Sequence, residues 1–132
     1  MKEVDIVFIH PPYPNSEGEH QDGHLPSIGL LNVAAIAEQE GLTAAIIDSV
    51  AMQYTSERTV QETIALNPRY VGLTAMTHNI GTAAVIAKNL KKQNKDLVTL
   101  LGGVHISSIP EETLEKFPGC FDISILGEGE LI

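Results

Sequence analysis

The sequence predicts an α/β fold, a doubly wound parallel sheet of five strands in the flavodoxin-like (Rossmann-like) order 2-1-3-4-5. Short apolar runs bounded by turn residues alternate with helical patterns along the 132 residues. The runs are almost continuously apolar, which is typical of strands that are covered on both faces. Strict alternation of strand and helix requires right-handed crossovers between parallel strands. A chain of this length is long enough to bury a core without disulfides or metals.

Five runs rich in Val, Ile or Leu are the predicted strands, at residues 4–9, 43–48, 70–75, 97–101 and 122–126. Four helical patterns follow the first four strands, at residues 27–40, 56–66, 79–93 and 108–117. The first helix should end before Gly41, which favours a helix C-terminus, and the second should begin with Ser56 as its N-cap. The third carries apolar residues on one face, namely Ile80, Ala83, Ala84, Ala87 and Leu90.

The last predicted strand ends at residue 126, and the sequence that follows is too short for a helix that would cover it. We therefore expect residues 1–132 to be one domain, a fragment of a longer protein, with the final covering helix missing. One face of the last strand, that of Ile123 and Ile125 or that of the alternate residues, should then be bare. An exposed apolar face of this kind predicts self-association.

Composition excludes several classes of function. Lys and Arg number 8 against 17 Asp and Glu, a formal net charge of −9, which argues against nucleic acid as a partner. No apolar run approaches the ~20 residues of a membrane span. The one cysteine, Cys120, excludes disulfides within the chain and clusters built on several cysteines. The lack of paired cysteines favours a cytoplasmic location.

Ligands of such sheets bind outside the carboxyl ends of the strands, so the loops that follow the strands are the candidate sites. The loop after the first strand, residues 10–26, is unusually long, and it contains Pro12, Tyr13 and three of the five histidines. Long loops in compact domains are usually functional, and this one is interpreted as a ligand loop. The alternative is a surface loop with solvated histidines.

The loop after the third strand contains Thr74, Met76 and Thr77, and the hydroxyls of the two threonines could donate to a buried ligand. The alternative role for Thr77 is to cap the next helix. After the fourth strand, Gly102 and Gly103 remove two side chains where the chain leaves the sheet, which allows a ligand to approach closely or serves a tight turn.

The remaining motifs are weaker or absent. The pair of glycines does not form a Gly-x-Gly-x-x-Gly dinucleotide motif, and no Ser-His-Asp order, P-loop or His-Glu-x-x-His motif is present in the sequence. Glu128, in the Gly-Glu repeat at residues 127–130, could perform acid–base work or belong to a solvated turn. A phosphate-accepting receiver domain of this fold would need an aspartate where Ala75 ends the third strand.

Four segments in order resemble the cobalamin (B12)-binding domain of radical SAM enzymes. Residues 25–35 (LPSIGLLNVAA) resemble its opening helix, and residues 71–77, 101–112 and 125–130 continue the match. The resemblance is strongest to the group of the anaerobic Mg-protoporphyrin IX monomethyl ester oxidative cyclases. It implies a domain that holds cobalamin with its nucleotide tail along the strand ends, ahead of a radical SAM barrel.

The resemblance implies that the hydroxyl of Thr74 faces the benzimidazole of the tail and that Gly102 and Gly103 make room for it. The residues predicted to contact cobalamin are Pro12, Tyr13, Thr74, Met76, Thr77, Gly102, Gly103, His105, Gly127 and Glu128. We predict no catalytic and no metal-ligating residue. His24 lies in Asp-Gly-His-Leu-Pro-Ser, which departs from the Asp-x-His-x-x-Gly pattern of cobalt-binding histidines because Ser27 replaces the final glycine.

The family also implies a [4Fe-4S] cluster and S-adenosylmethionine in the barrel, so this chain alone should not be an enzyme. The parent should be a radical SAM cyclase-like oxidoreductase or a methyltransferase. Two alternatives remain open. One is an interaction or substrate-positioning module of a radical SAM enzyme that has lost cobalamin. The other is a flavodoxin-like protein that binds a nucleotide or flavin, for which aromatic residues are few (5%).

Overall fold

The computed structural model describes residues 4–12, 28–74, 80–102 and 120–124. Its strands are β1 (Ile6–His10), β2 (Ala44–Asp48), β3 (Tyr70–Thr74), β4 (Val98–Gly102) and β5 (Ile123–Ser124). Its helices are α1 (Ile28–Gln39), α2 (Ser56–Ala65) and α3 (Ile80–Gln93). All strand pairs are parallel, and the sheet has the order β2-β1-β3-β4-β5. The predicted fold class and strand order are therefore confirmed.

Apolar side chains alternate between the two faces of the sheet. In β1, Val7 and Ile9 belong to the larger core cluster, which includes most of the buried face of α3. Phe8 lies between them in sequence and belongs to a second cluster with Ala34 of α1. Both faces of β1 are therefore covered, as the continuous apolar run predicts. The five α3 residues predicted on one helix face are all buried.

The ends of the first two strands differ from prediction by one or two residues. Asp5 and Thr43 precede the ladder and bind each other with their side chains. The Asp5 N–H donates to Oγ1 of Thr43 at 2.8 Å, and the Thr43 N–H donates to Oδ2 of Asp5 at 2.8 Å. Because these side chains join the two segments, β1 begins at Ile6 and β2 at Ala44, where the backbone ladder takes over.

The ends of two helices test the predicted caps. Gly41 has φ +92°, which confirms it as the residue that ends α1 in the left-handed region. The predicted N-cap of α2 is wrong. Thr55, not Ser56, is the cap: its backbone is extended and its Oγ1 accepts a hydrogen bond of 3.1 Å from the Arg58 N–H. Both residues can cap a helix. The cap lies one residue earlier than predicted, so that Ser56 is the first residue of the helix.

A group of hydrogen bonds around Asp122 and Thr99, here called the clasp, joins the start of β5 to β4 and α3. Oδ2 of Asp122 accepts hydrogen bonds from the N–H of Thr99 at 2.9 Å and from Nζ of Lys91 at 2.6 Å. Thr99 also donates its hydroxyl to the carbonyl of Cys120 at 2.8 Å. Burial opposes ionisation of Asp122, but the hydrogen bonds from Lys91 and Thr99 outweigh it and lower the pKa of this carboxyl.

The clasp predicts a pH-dependent loss of stability. A lowered pKa in the folded state stabilises the protein above the ordinary aspartate pKa and loses that effect as the pH falls through the lowered one. Asp122→Asn should reduce the free energy of unfolding at neutral pH by about 1 kcal/mol, a value that allows for the solvent exposure of the pair. As the pH falls through the lowered pKa of Asp122, the difference from the natural chain should shrink. Urea unfolding at neutral pH and at acidic pH measures the difference in the free energy of unfolding between the variant and the natural chain.

The matched control for this variant is Asp96→Asn, the same change at an exposed residue of the turn before β4. It should leave the free energy of unfolding within about 0.5 kcal/mol of the natural chain. An equal loss from Asp122→Asn at neutral and acidic pH would show that the charge of Asp122 does not stabilise the fold.

Some predicted elements lie outside the described residues. These are the helix at 108–117, the end of the last strand at 125–126 and the segment after it. Ile123, in the described part of the last strand, is 46% exposed. Within the described part of the chain, no helix has the length and apolar character needed to cross a membrane.

Candidate functional site

The carboxyl ends of four neighbouring strands lie along one edge of the sheet. β1 ends at His10 and β2 at Asp48, and these two residues are partners in the register. β3 ends at Thr74 and β4 at Gly102, which are also partners. Because the loops that follow parallel strands open at this edge, it is where such sheets bind their ligands.

An imidazole and a carboxylate meet where β1 and β2 end. Nδ1 of His10 lies 3.4 Å from Oδ1 of Asp48, and His10 is 8% exposed. The same oxygen of Asp48 accepts a hydrogen bond of 3.1 Å from the Ala51 N–H, which shapes the turn after β2. This pair was not predicted. The signal that could have found it is the strand order, which places the ends of strands 1 and 2 side by side.

A buried hydroxyl network holds the turn after β2 against α2. The Thr59 hydroxyl donates to the Thr55 carbonyl at 2.8 Å. Because a hydroxyl has one hydrogen, Ser49 must then be the donor in its 2.5 Å hydrogen bond with Thr59. The Ser49 amide donates in turn to the His10 carbonyl at 3.0 Å. These hydrogen bonds therefore connect the ends of β1 and β2 to the start of α2.

Thr74 and Gly102 form the middle of the edge. Both are half-buried, and the Thr74 hydroxyl makes no hydrogen bond to another residue that the structure describes. Gly102 itself carries no side chain. The pair thus places one hydroxyl next to a position without a side chain, and a site for a long, partly apolar ligand combines few polar groups with close approach to the backbone.

The chain leaves β1 through two prolines, Pro11 and Pro12, both of which are buried. The Pro12 carbonyl accepts a hydrogen bond of 2.6 Å from the hydroxyl of Thr82, 70 residues further along the chain. Thr82 lies in the first turn of α3. The start of the loop after β1 is therefore tied to the helix that follows β3.

A family model described as the B12 binding domain matches residues 19–132 of the chain. The chain belongs to the family of B12-binding domains. The match covers most of the chain, including β3, α3 and β4, and with it the resemblance seen in the sequence and the prediction of cobalamin as cofactor are confirmed. The alternative of a module without cofactor is not favoured.

Curated relatives of this B12-binding domain belong to much longer proteins. It is 34% identical over 128 residues to the anaerobic magnesium-protoporphyrin IX monomethyl ester cyclase of Rubrivivax gelatinosus, covering 96% of this chain and 23% of the cyclase. It is 30% identical over 131 residues to an uncharacterised methyltransferase of Pyrococcus horikoshii, covering 99% of this chain and 28% of that protein. The chain spans about a quarter of the length of these relatives.

The fold of the B12-binding domain is also found in a solved radical SAM enzyme. The structure of the methyltransferase TsrM from Kitasatospora setae, with cobalamin and a [4Fe-4S] cluster bound, superposes with a TM-score of 0.67. The identity is 16%, and the superposition covers 87% of this chain and 21% of the enzyme. At this identity the likeness shows the fold alone.

The structure describes three of the residues predicted to contact cobalamin. Thr74 and Gly102 lie together at the carboxyl edge, and Pro12 lies at the start of the loop after β1. The other predicted contacts lie outside the described residues, namely Tyr13, Met76, Thr77, Gly103, His105, Gly127 and Glu128. Their roles stay predictions.

A cavity of about 780 Å³ lies between α2 and α3, lined by Thr82, Val85 and the first residues of α2 among others. Of the predicted cobalamin contacts that the structure describes, Pro12, Thr74 and Gly102, none is among the lining residues. Among the described residues, no group of three or more His, Cys, Asp or Glu side chains is placed to hold a metal ion.

Proposed function

We propose that this B12-binding domain holds cobalamin along the carboxyl edge of β1, β3 and β4, with the nucleotide tail between Thr74 and the Gly102–Gly103 segment. The observation that carries the proposal is the registered Thr74–Gly102 pair, a hydroxyl beside an absent side chain. The fit is chemical: the tail needs close approach to the backbone and few polar contacts. Cobalamin supplies radical and group-transfer chemistry that side chains lack.

In this proposal each side of the edge has a separate role. The Thr74 hydroxyl donates to a heteroatom of the tail, and Gly102 and Gly103 leave the space that it occupies. Pro12 and Tyr13 line the edge from the loop after β1, and Met76 and Thr77 from the loop after β3. His105, Gly127 and Glu128 complete the contacts from the loops after β4 and β5. None of these residues is assigned a catalytic role.

We further propose that a radical SAM barrel follows this domain in the same protein and contains the [4Fe-4S] cluster and the S-adenosylmethionine site. The support is the length of the curated relatives, of which this chain spans 28% and 23%. The reaction of the whole protein would be that of a cyclase or a methyltransferase, the two activities named among these relatives. A cytoplasmic location fits the single unpaired cysteine, Cys120, which is buried.

A comparison of the affinities for two corrinoids tests the proposal. Hydroxocobalamin and hydroxocobinamide share the corrin ring, but the second lacks the nucleotide tail. Equilibrium dialysis followed by visible absorbance should show binding of hydroxocobalamin and binding of hydroxocobinamide weaker by about tenfold or more, since the buried tail contributes apolar contact area. Absence of hydroxocobalamin binding would overturn the function, and equal affinities would overturn the tail site.

We also propose that the apolar face at Ile123, 46% exposed, causes the chain to self-associate in concentrated solution. Sedimentation velocity should show a dimer or larger species as concentration rises. Ile123→Ser should shift the distribution toward monomer. A strict monomer at all concentrations would contradict this expectation.

A further inference from the structure

Thr82 is not among the proposed cobalamin contacts, but it forms a long-range hydrogen bond with Pro12, which is one of them. Its hydroxyl donates to the Pro12 carbonyl at 2.6 Å, and Thr82 is only 8% exposed. The carbonyl belongs to a proline that is itself buried. A buried carbonyl that loses its donor costs more free energy than an exposed one, because water does not replace the bond. This contact is therefore expected to persist in solution.

The two groups that Thr82 joins are both stiff. Pro11 and Pro12 each have a fixed φ, so the position of the Pro12 carbonyl sets the direction in which the chain leaves β1. Thr82 sits in α3 between buried residues, with Ile80 at 7% and Ala83 at 0% exposure. The hydrogen bond thus links the loop after β1 to a helix turn that is fixed in the core.

The linked segments carry predicted cobalamin contacts on both sides. Pro12 and Tyr13 belong to the loop after β1, while Thr74 and Met76 belong to the connection from β3 to α3. We propose that Thr82 is a positioning residue of the cobalamin site, which holds these two segments in their binding arrangement before the cofactor arrives. The inference rests on the proposed function. Preorganisation of this kind strengthens binding, because less ordering remains to be done when the ligand enters.

The test removes the hydroxyl and keeps the shape. Thr82→Val should weaken hydroxocobalamin binding by about tenfold, the effect of one buried hydrogen bond. Thr82→Ser, which keeps the donor, should restore an affinity near that of the natural chain. Equilibrium dialysis on the full chain, well below the unfolding temperature of each variant, measures both. Thr82→Ala gives a second hydroxyl-free variant, should the valine disturb packing.

Thr63→Val is the matched control. The Thr63 hydroxyl is also buried, but it donates to the Thr59 carbonyl within α2, at 2.8 Å. This variant should lose stability and keep its cobalamin affinity. Equal binding by the natural chain, Thr82→Val and Thr82→Ala would overturn the inference, as would a serine variant as weak as the valine one. Absence of binding by the natural chain would instead count against the proposed function.

Discussion

Gly102→Val is expected to weaken cobalamin binding by about a hundredfold or more, equivalent to about 2.7 kcal/mol. The residue ends β4 beside Thr74, at the point where we place the nucleotide tail. A valine side chain would fill the space that the tail needs, and forcing both into one volume costs free energy as overpacking does. Titration of the folded variant with hydroxocobalamin measures the loss.

Stability separates loss of the site from loss of the fold. Gly102 is half-buried at a strand end, and valine favours extended backbone, so the free energy of unfolding should change little. Gly102→Ala should give a smaller loss of affinity, and Gly103→Val a loss as large as that of Gly102→Val. If folded Gly102→Val bound cobalamin as tightly as the natural chain, the tail would not lie beside Gly102.

Gly72→Val should have the largest effect on stability, a loss of about 3 kcal/mol or more in the free energy of unfolding. Gly72 of β3 is the register partner of Phe8 in β1. A Cβ at position 72 would lie 3.0 Å from Cδ1 and 3.2 Å from Cε1 of the Phe8 ring. The ring is 6% exposed and packs with Ala34 of α1, so it has little room to move. The total free energy of unfolding of a typical domain is only about 5–15 kcal/mol. The variant should therefore unfold at a denaturant concentration well below the midpoint of the natural chain.

A second glycine provides the control. Nothing lies within 4 Å of a Cβ built on Gly81 in α3, so Gly81→Ala should be neutral or raise stability by about 0.5–1 kcal/mol. In the Gly72→Ala background, Phe8→Leu should recover part of the lost stability, because the smaller side chain relieves the contact. Chemical denaturation of the four variants checks both statements. An unchanged midpoint for Gly72→Val would show that the ring moves aside without cost.

The sequence predicts the architecture well because the architecture depends on local patterns. Alternating apolar runs and helical periodicity predict the strand order, and Gly41 predicts the end of α1. The prediction that a site lies at the carboxyl edge follows from the topology alone. Thr74 and Gly102, predicted separately from two loops, prove to be register partners.

Contacts between distant side chains escape this reasoning. The pairs His10–Asp48 and Thr82–Pro12 join residues 38 and 70 positions apart. The first could be found only by combining the strand order with the ends of the two strands, and no pattern in the sequence indicates the second. The N-cap of α2 shows the same limit at short range. Thr55 and Ser56 have similar capping preference, and only the backbone path decides between them.

The measurement that tests the central claim most directly is a map of the backbone amides that respond to the cofactor. Amide proton–nitrogen correlation spectra of the chain, recorded with and without hydroxocobalamin, should show their largest changes at the carboxyl edge, among them Thr74 and Gly102. Residues at the opposite, amino edge, such as Asp5 and Val98, should change little. The largest changes at the amino edge, or none at the carboxyl edge with cobalamin bound, would contradict the proposed site.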